Sequence, residues 1–211
     1  REAISPVRHH PQWTGGSIIQ QRQLEQSHVI MGLSALSATD DDRYAMMLLS
    51  SLYGGGMASR LFQQVREERG LCYSIFSFAQ IYSDTGIFGI YSGTAAEDVN
   101  EMLSVSCKAL HDMRDDMTDD EIARGKSQMR AGILMAQESV SGMTDSMARQ
   151  LLLFGHVRTP QEVAESVAAL QKEDVVRVIE RLTKDAAPCV SVIGPSEDVM
   201  SNDDMKQLIA C

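Results

Sequence analysis

Residues 54–75 run Gly54-Gly55-Gly56-Met57-Ala58-Ser59-Arg60-Leu61-Phe62-Gln63-Gln64-Val65-Arg66-Glu67-Glu68-Arg69-Gly70-Leu71-Cys72-Tyr73-Ser74-Ile75. The three glycines break the chain and read as a helix stop and a hinge. Ser59 is placed to cap a second helix, whose apolar face is Leu61, Phe62 and Val65 and which stops at Gly70. A strand follows over residues 71–78. Arg66 sits near the helix end and Tyr73 early in the strand, 73 − 66 = 7 residues apart. The turn at Gly70 can fold both side chains to one side. A guanidinium fork and a phenol are hydrogen-bond donors that can hold a peptide carbonyl or support a developing oxyanion. The same residues also fit a solvated helix end, where arginines are favoured by the dipole, and spacing alone leaves both readings open.

Upstream of this stretch, residues 17–23 and 28–36 are parted by the polar Leu24-Glu25-Gln26-Ser27. In the second run Val29, Met31, Leu33 and Ala35 alternate with His28, Ile30, Gly32 and Ser34. This period of two predicts a pair of strands joined across the break. Thr39 before Asp40, Asp41 and Asp42 predicts a capped helix start, with negative charge at the positive end of the dipole. Tyr44, Met47, Leu48 and Leu52 continue that helix, and Gly54 is its expected left-handed stop.

Downstream, residues 71–78 and 86–92 predict a hairpin around Ser83-Asp84-Thr85-Gly86. The rest is mostly helical. Val99, Met102, Leu103, Cys107, Leu110 and Met113 make one stripe, and Met143, Met147, Leu151 and Phe154, ending at Gly155, make another. Thr118-Asp119-Asp120-Glu121 and Thr159-Pro160-Gln161-Glu162 are capping boxes, the second with proline where an amide would be orphaned anyway. Val175, Val178, Ile179 and Leu182 mark a further helix, residues 189–193 a last strand ended by Gly194-Pro195, and the tail a short helix. Strands, helices, hairpin, helices and strand do not alternate as βαβ units. The expected fold is α+β, two-layered, with a mostly antiparallel sheet covered by helices on one face. Residues 1–12 read as an incoming linker, and residues 13–211 as a single domain.

At 211 residues, with 44% hydrophobic and 23% charged residues, the chain can bury a full core. Its net charge of −10, from 29 acids against 19 bases, lacks the clustered basic face that duplex nucleic acid requires. No apolar run approaches the ~20 residues of a membrane span. The cysteines at 72, 107, 189 and 211 form no Cys-x-x-Cys site and are expected as free thiols in a reducing, cytoplasmic compartment. Arg1 is not a natural start, so the N-terminus is expected to have been cut away. Thirteen methionines, several at helical spacing, read first as core and second as an adaptable wall.

No glycine pattern here fits a phosphate loop or a dinucleotide site, and no Gly-x-Ser-x-Gly elbow is present. The histidines at 9, 10, 28, 111 and 156 include neither H-E-x-x-H nor H-x-x-E-H spacing. No metal ligand set is therefore expected in this chain, because a catalytic zinc needs three protein ligands in fixed geometry.

Residues 54–73 nonetheless resemble the second-half signature of the zinc peptidases of the pitrilysin, insulin-degrading and mitochondrial-processing-peptidase family, the M16 peptidases. So do Gln26-Ser27-His28-Val29, Asp84-Thr85-Gly86, Gly93-Thr94 and Gln150-Leu151-Leu152-Leu153-Phe154-Gly155. The likeness covers roughly residues 13–195 and is closest to the bacterial and mitochondrial-type branch. It implies the two-layer fold of that family's metallohydrolase domains. It also implies a C-terminal half that binds no metal and closes over substrate, with zinc and a glutamate base supplied by an N-terminal half absent from this chain. On this sequence the family's substrate-contacting arginine and tyrosine fall on Arg66 and Tyr73. The resemblance assigns substrate binding to both and transition-state stabilisation to Tyr73, with Gly54, Gly55 and Gly56 as a hinge. The implied partners are the zinc-binding half, a peptide substrate and further subunits in a homo- or hetero-oligomer, and the isolated chain is expected to be inactive. Two other readings remain: a non-catalytic interaction module of the same fold, and an independent small-molecule enzyme.

Overall fold

Alternation in the strand Ser27–Ala35 decides which way the sheet faces. Val29, Met31 and Leu33 are buried, while Ile30 between them is 45% exposed. One face therefore carries the core and the other is open to solvent.

The computed structural model describes residues 11–210. In chain order the elements are β1 (Gly16–Gln21), β2 (Ser27–Ala35), α1 (Arg43–Gly54), a π-helix (Phe62–Glu67), β3 (Ser74–Ile81), β4 (Gly86–Thr94), α2 (Val99–Asp116), α3 (Asp119–Ala136), α4 (Val140–Phe154), α5 (Pro160–Ala169), α6 (Lys172–Thr183), β5 (Cys189–Gly194) and α7 (Asn202–Ala210). Of the linker expected over residues 1–12, residues 1–10 lie outside the described part, as do His9, His10 and Cys211.

The five strands form one sheet in the order β1-β5-β2-β4-β3. The β1–β5 pair is parallel and the other pairings are antiparallel, so the expected α+β class and mostly antiparallel sheet hold. The expected hairpin is β3–β4, paired from Ser74↔Gly93 to Ile81↔Gly86. Against the covered face pack α1, α2 and α6; the stripes predicted from spacing are buried in α2 (Val99 to Met113) and α6 (Val175, Val178, Ile179 and Leu182), whereas of the α1 stripe Leu48 and Leu52 are buried, Tyr44 is half-buried and Met47 is 43% exposed. The α3 helix packs outside α1, and α7 against α2.

The pairing of β1 with β2 is corrected by the structure. The slot beside β2 is taken by β5, whose Val190 and Val192 are fully buried, and β1 is pushed to the sheet edge. The break at residues 24–26 lacks the turn chemistry of a tight hairpin, and Gln20 and Gln21 suit a solvated edge. Thr39 does not cap α1 either. Its hydroxyl meets Ser37, and the helix starts from Asp42 without a side-chain cap. Asp40 and Asp42 instead face α6, where Arg181 and Arg177 bind them at 2.6–3.1 Å and hold both carboxyls below the usual range.

Both predicted capping boxes form, at Thr118/Glu121 and Thr159/Glu162, and Gly155 ends α4 at φ +74°. The stripe of α4 is the exception: none of this helix is buried, and Leu151 is 56% exposed.

Candidate functional site

The segment that carries Arg66 is a helix with a wider turn than its sequence suggests. Over Phe62–Glu67 the backbone adopts π geometry, and the Glu68 N–H donates to the Gln63 carbonyl at 2.9 Å, five residues back. Nothing in the sequence marks the widening. The predicted stop is where it was expected. Gly70 takes φ +66°, its N–H donates to the Arg66 carbonyl at 3.1 Å, and the Leu71 N–H donates to that of Val65 at 3.0 Å. Val65 and Leu61 anchor the turn in the core, and Arg66 is left on the outside with its guanidinium 4.7 Å above the Phe62 ring.

After Gly70 the chain is held at two points. Thr94 donates its hydroxyl to the Leu71 carbonyl, and the Tyr73 N–H donates to the Gly93 carbonyl at 2.8 Å. Between them Cys72 points inward and Tyr73 outward, 68% exposed, so β3 begins one residue after Tyr73 rather than at Leu71. Burial raises the Cys72 thiol, while the positive charge of Arg66 acts on it in the opposite sense.

Tyr73 borders an open depression of about 540 Å³ with Leu24, Glu25, Gln26 and His28. The His28 ring nitrogen Nδ1 lies 2.7 Å from the Tyr91 hydroxyl, and Tyr91 stacks on Phe76 at 5.1 Å. Gly93 makes room for this arrangement, since a Cβ there would sit 3.0 Å from Gln26 Oε1. A phenol, a carboxylate, a carboxamide and an imidazole therefore surround one basin. Such a set can hydrogen-bond both the N–H and C=O groups of an extended chain. Glu25 and Tyr91 were missed from the sequence. Gln26 and His28 were noticed only as part of a strand entry, because β2 and β3 become neighbours of one basin through β4.

The triple glycine is built differently from a left-handed stop. Gly54 is the last residue of α1 and Gly55 follows at φ −86°. A Cβ on Gly54 would lie 2.3 Å from the Ser77 backbone nitrogen, so glycine is needed there for close approach of α1 to β3. The next loop is tied to α3 by Gln128, which donates to the Gly55 carbonyl at 3.1 Å, and by Arg124, which donates to that of Ala58 at 3.3 Å. Arg60 adds an ion pair, 2.6 Å to Glu121 and 3.0 Å to Asp116. Burial alone would raise the Glu121 carboxyl, but Arg60 and the Thr118 N–H outweigh it and hold it at about 2.

Among the described residues no three His, Cys, Asp or Glu converge as metal ligands. The described residues do not fit a zinc site.

Residues 4–129 match the family model described as the peptidase M16 inactive domain. The chain belongs to the M16 peptidase family. This M16 domain is 36% identical over 178 residues to an uncharacterized zinc protease of Streptomyces coelicolor, covering 84% of this chain and 39% of the relative. It is 30% identical to an uncharacterized zinc protease of Bacillus subtilis, covering 90% and 47%. It is 28% identical to the mitochondrial-processing peptidase subunit alpha of Caenorhabditis elegans, covering 81% and 37%. Among solved structures it superposes with TM-score 0.85 on a chain of complex III from Candida albicans, at 20% identity, covering 93% of this chain and 49% of that one. That likeness shows a shared fold. The chain thus spans under half the length of these M16 relatives.

Proposed function

We propose that this M16 domain is the substrate-holding, metal-free half of a zinc-dependent metalloendopeptidase that cleaves peptides or presequence-like segments. The observation that carries the reading is the exposed Tyr73, its N–H held by the Gly93 carbonyl after a turn that Thr94 fastens at Leu71, with Arg66 facing outward seven residues earlier. In this role Arg66 binds a substrate carbonyl and Tyr73 donates its hydroxyl to the oxygen on which negative charge develops. Gly54 is pinned to β3 and the Gly55 carbonyl to α3, so hinge motion falls to Gly56. In this reading zinc and the general base come from a companion N-terminal half; the bacterial relatives named as zinc proteases support the zinc. Three free thiols, at Cys72, Cys107 and Cys189, favour a cytoplasmic setting.

The experiment is peptide cleavage by the protein carrying both halves. Tyr73→Phe should lower kcat by about 10²- to 10³-fold with KM little changed, the size of a lost oxyanion donor. Arg66→Ala should act mainly on KM. A double variant with undiminished, chelator-sensitive cleavage would remove both residues from the site.

One observation pair favours a second reading, a structural subunit of the same fold: the matched family model is described as inactive, and complex III holds a chain of this shape. An intact H-x-x-E-H in the companion half supports the peptidase, and a broken one supports the scaffold.

A further inference from the structure

Helix α4 is amphipathic, yet its apolar side closes over a space instead of a packed neighbour. Met143, Met147 and Phe154 of α4 form one wall of a cavity of about 270 Å³, and Met47 of α1 and Ile133 of α3 stand among the residues of the other. That volume lies near the lower end of the ~300–1,000 Å³ typical of small-molecule sites. Flexible methionine side chains let such walls adapt to a guest.

The rim is chemically different from the walls. Tyr44 has two guanidinium groups on its ring, Arg43 at 4.5 Å and Arg158 at 5.5 Å from the centroid, and Arg43 also lies 5.6 Å from the Phe154 ring. Both guanidinium groups border the cavity, so an anion held there meets positive charge from either side chain. Among the described residues neither arginine makes an ion pair. Asp42, the acid next to Arg43 in sequence, is turned to Arg177 and Arg181, and Asp40 to Arg181. Glu162, which feels the Arg158 charge, is spent on the Thr159 cap of α5. Arg43 uses one N–H on the Asp40 carbonyl, and Arg158 binds the Tyr44 hydroxyl, Ser166 and, weakly, the Glu162 carbonyl. Each has five N–H donors, so donors remain on both.

We propose that this cavity binds a medium-chain fatty acid, with its apolar chain between α1 and α4 and its carboxylate on Arg43 and Arg158. The apolar walls supply burial for the chain, and the paired guanidinium groups select a charged head over an alcohol. Ile81 borders the cavity at the far end of β3 from Tyr73. At ~3.3 Å per residue the two sites are roughly 26 Å apart. The cavity is therefore separate from the basin at Tyr73, and the proposal stands independently of any role there.

Calorimetric titration of the intact protein with decanoate, kept below its micelle-forming concentration, tests this. Saturable binding of one equivalent is expected. Decanol should bind at least about tenfold more weakly, and the Arg43→Gln/Arg158→Gln double variant should lose a similar factor, the worth of a charge-assisted hydrogen bond. Met147→Trp fills the cavity from a half-exposed position, touches neither arginine, and should abolish binding while the melting temperature is kept. Equal affinity for decanol, unchanged affinity in the double variant, or no saturable binding would overturn the proposal. So would binding of a peptide with a free, apolar C-terminal residue in the absence of decanoate binding.

Discussion

A methyl group on Gly54 would meet the Ser77 backbone nitrogen at 2.3 Å, whereas one on Gly132, exposed within α3, would meet nothing within 4 Å. Identical substitutions at the two positions should therefore act in opposite directions. Gly54→Ala must push α1 off β3 and should cost about 2 kcal/mol or more, the scale of core overpacking. Gly132→Ala removes backbone entropy from an exposed helix interior and should add about 0.5–1 kcal/mol. Urea denaturation midpoints of the two variants check both signs. Residue identity alone did not separate these cases. The sequence marks Gly54 as an end of something, and its position there is right, but the reason is a contact with a strand 23 residues further on (77 − 54). Tyr73 shows the same limit. Its spacing from Arg66 was legible because Gly70 sets a local turn, while Glu25, in the loop before β2, and Tyr91, in β4, come alongside only through the sheet order.

At the scale of elements, the junction between the π-helix and α3 depends on one carboxylate doing two tasks. Glu121 closes the capping box on Thr118 and binds Arg60 from the preceding loop. The first task was legible from four consecutive residues. The second was not, because Arg60 lies 61 positions away. The Glu121 carboxyl is held at about 2, against an ordinary value of 4.5. Its contribution is thus fully present above pH 4.5 and is lost as the pH falls toward 2. Glu121→Gln should cost about 2 kcal/mol at pH 7, comparable to a charged hydrogen bond. The gap from the parent protein should shrink steadily below pH 4.5. Denaturant titrations at pH 7, 5, 4 and 3 measure it, and a gap independent of pH would show that the ion pair contributes nothing. Caps and stripes were the best-read elements here because each is set within one or two turns. The exposed stripe of α4 shares its period with the buried ones, so periodicity reports an apolar face without reporting what covers it.

Over the whole molecule, stability should follow the sheet order. Strand β2 has a partner on both sides and fully or nearly fully buried side chains on its covered face, whereas α4 buries no residue. Backbone amides of β2 and of its neighbour β4 should be the slowest to exchange with deuterated solvent, and those of α4 among the fastest in any helix, by several orders of magnitude. Amide exchange followed by mass spectrometry or NMR resolves this, and equal protection of α4 and α2 would refute it.

The placement of β5 has a further consequence, for synthesis. The strand that separates β1 from β2 begins 154 residues after β2 ends (189 − 35). While a ribosome is still making α2 to α6, β1 has no partner strand and one flank of β2 is an unpaired hydrogen-bonding edge lined by Val29 and Met31. Such an edge is a template for wrong pairing and needs shelter until residue 194 has emerged. The slow step of folding is then the return of a six-residue strand to a gap left open near the start, a closure between sites distant in the chain. Any product stopped before Cys189 would lose two strands from the sheet, not one.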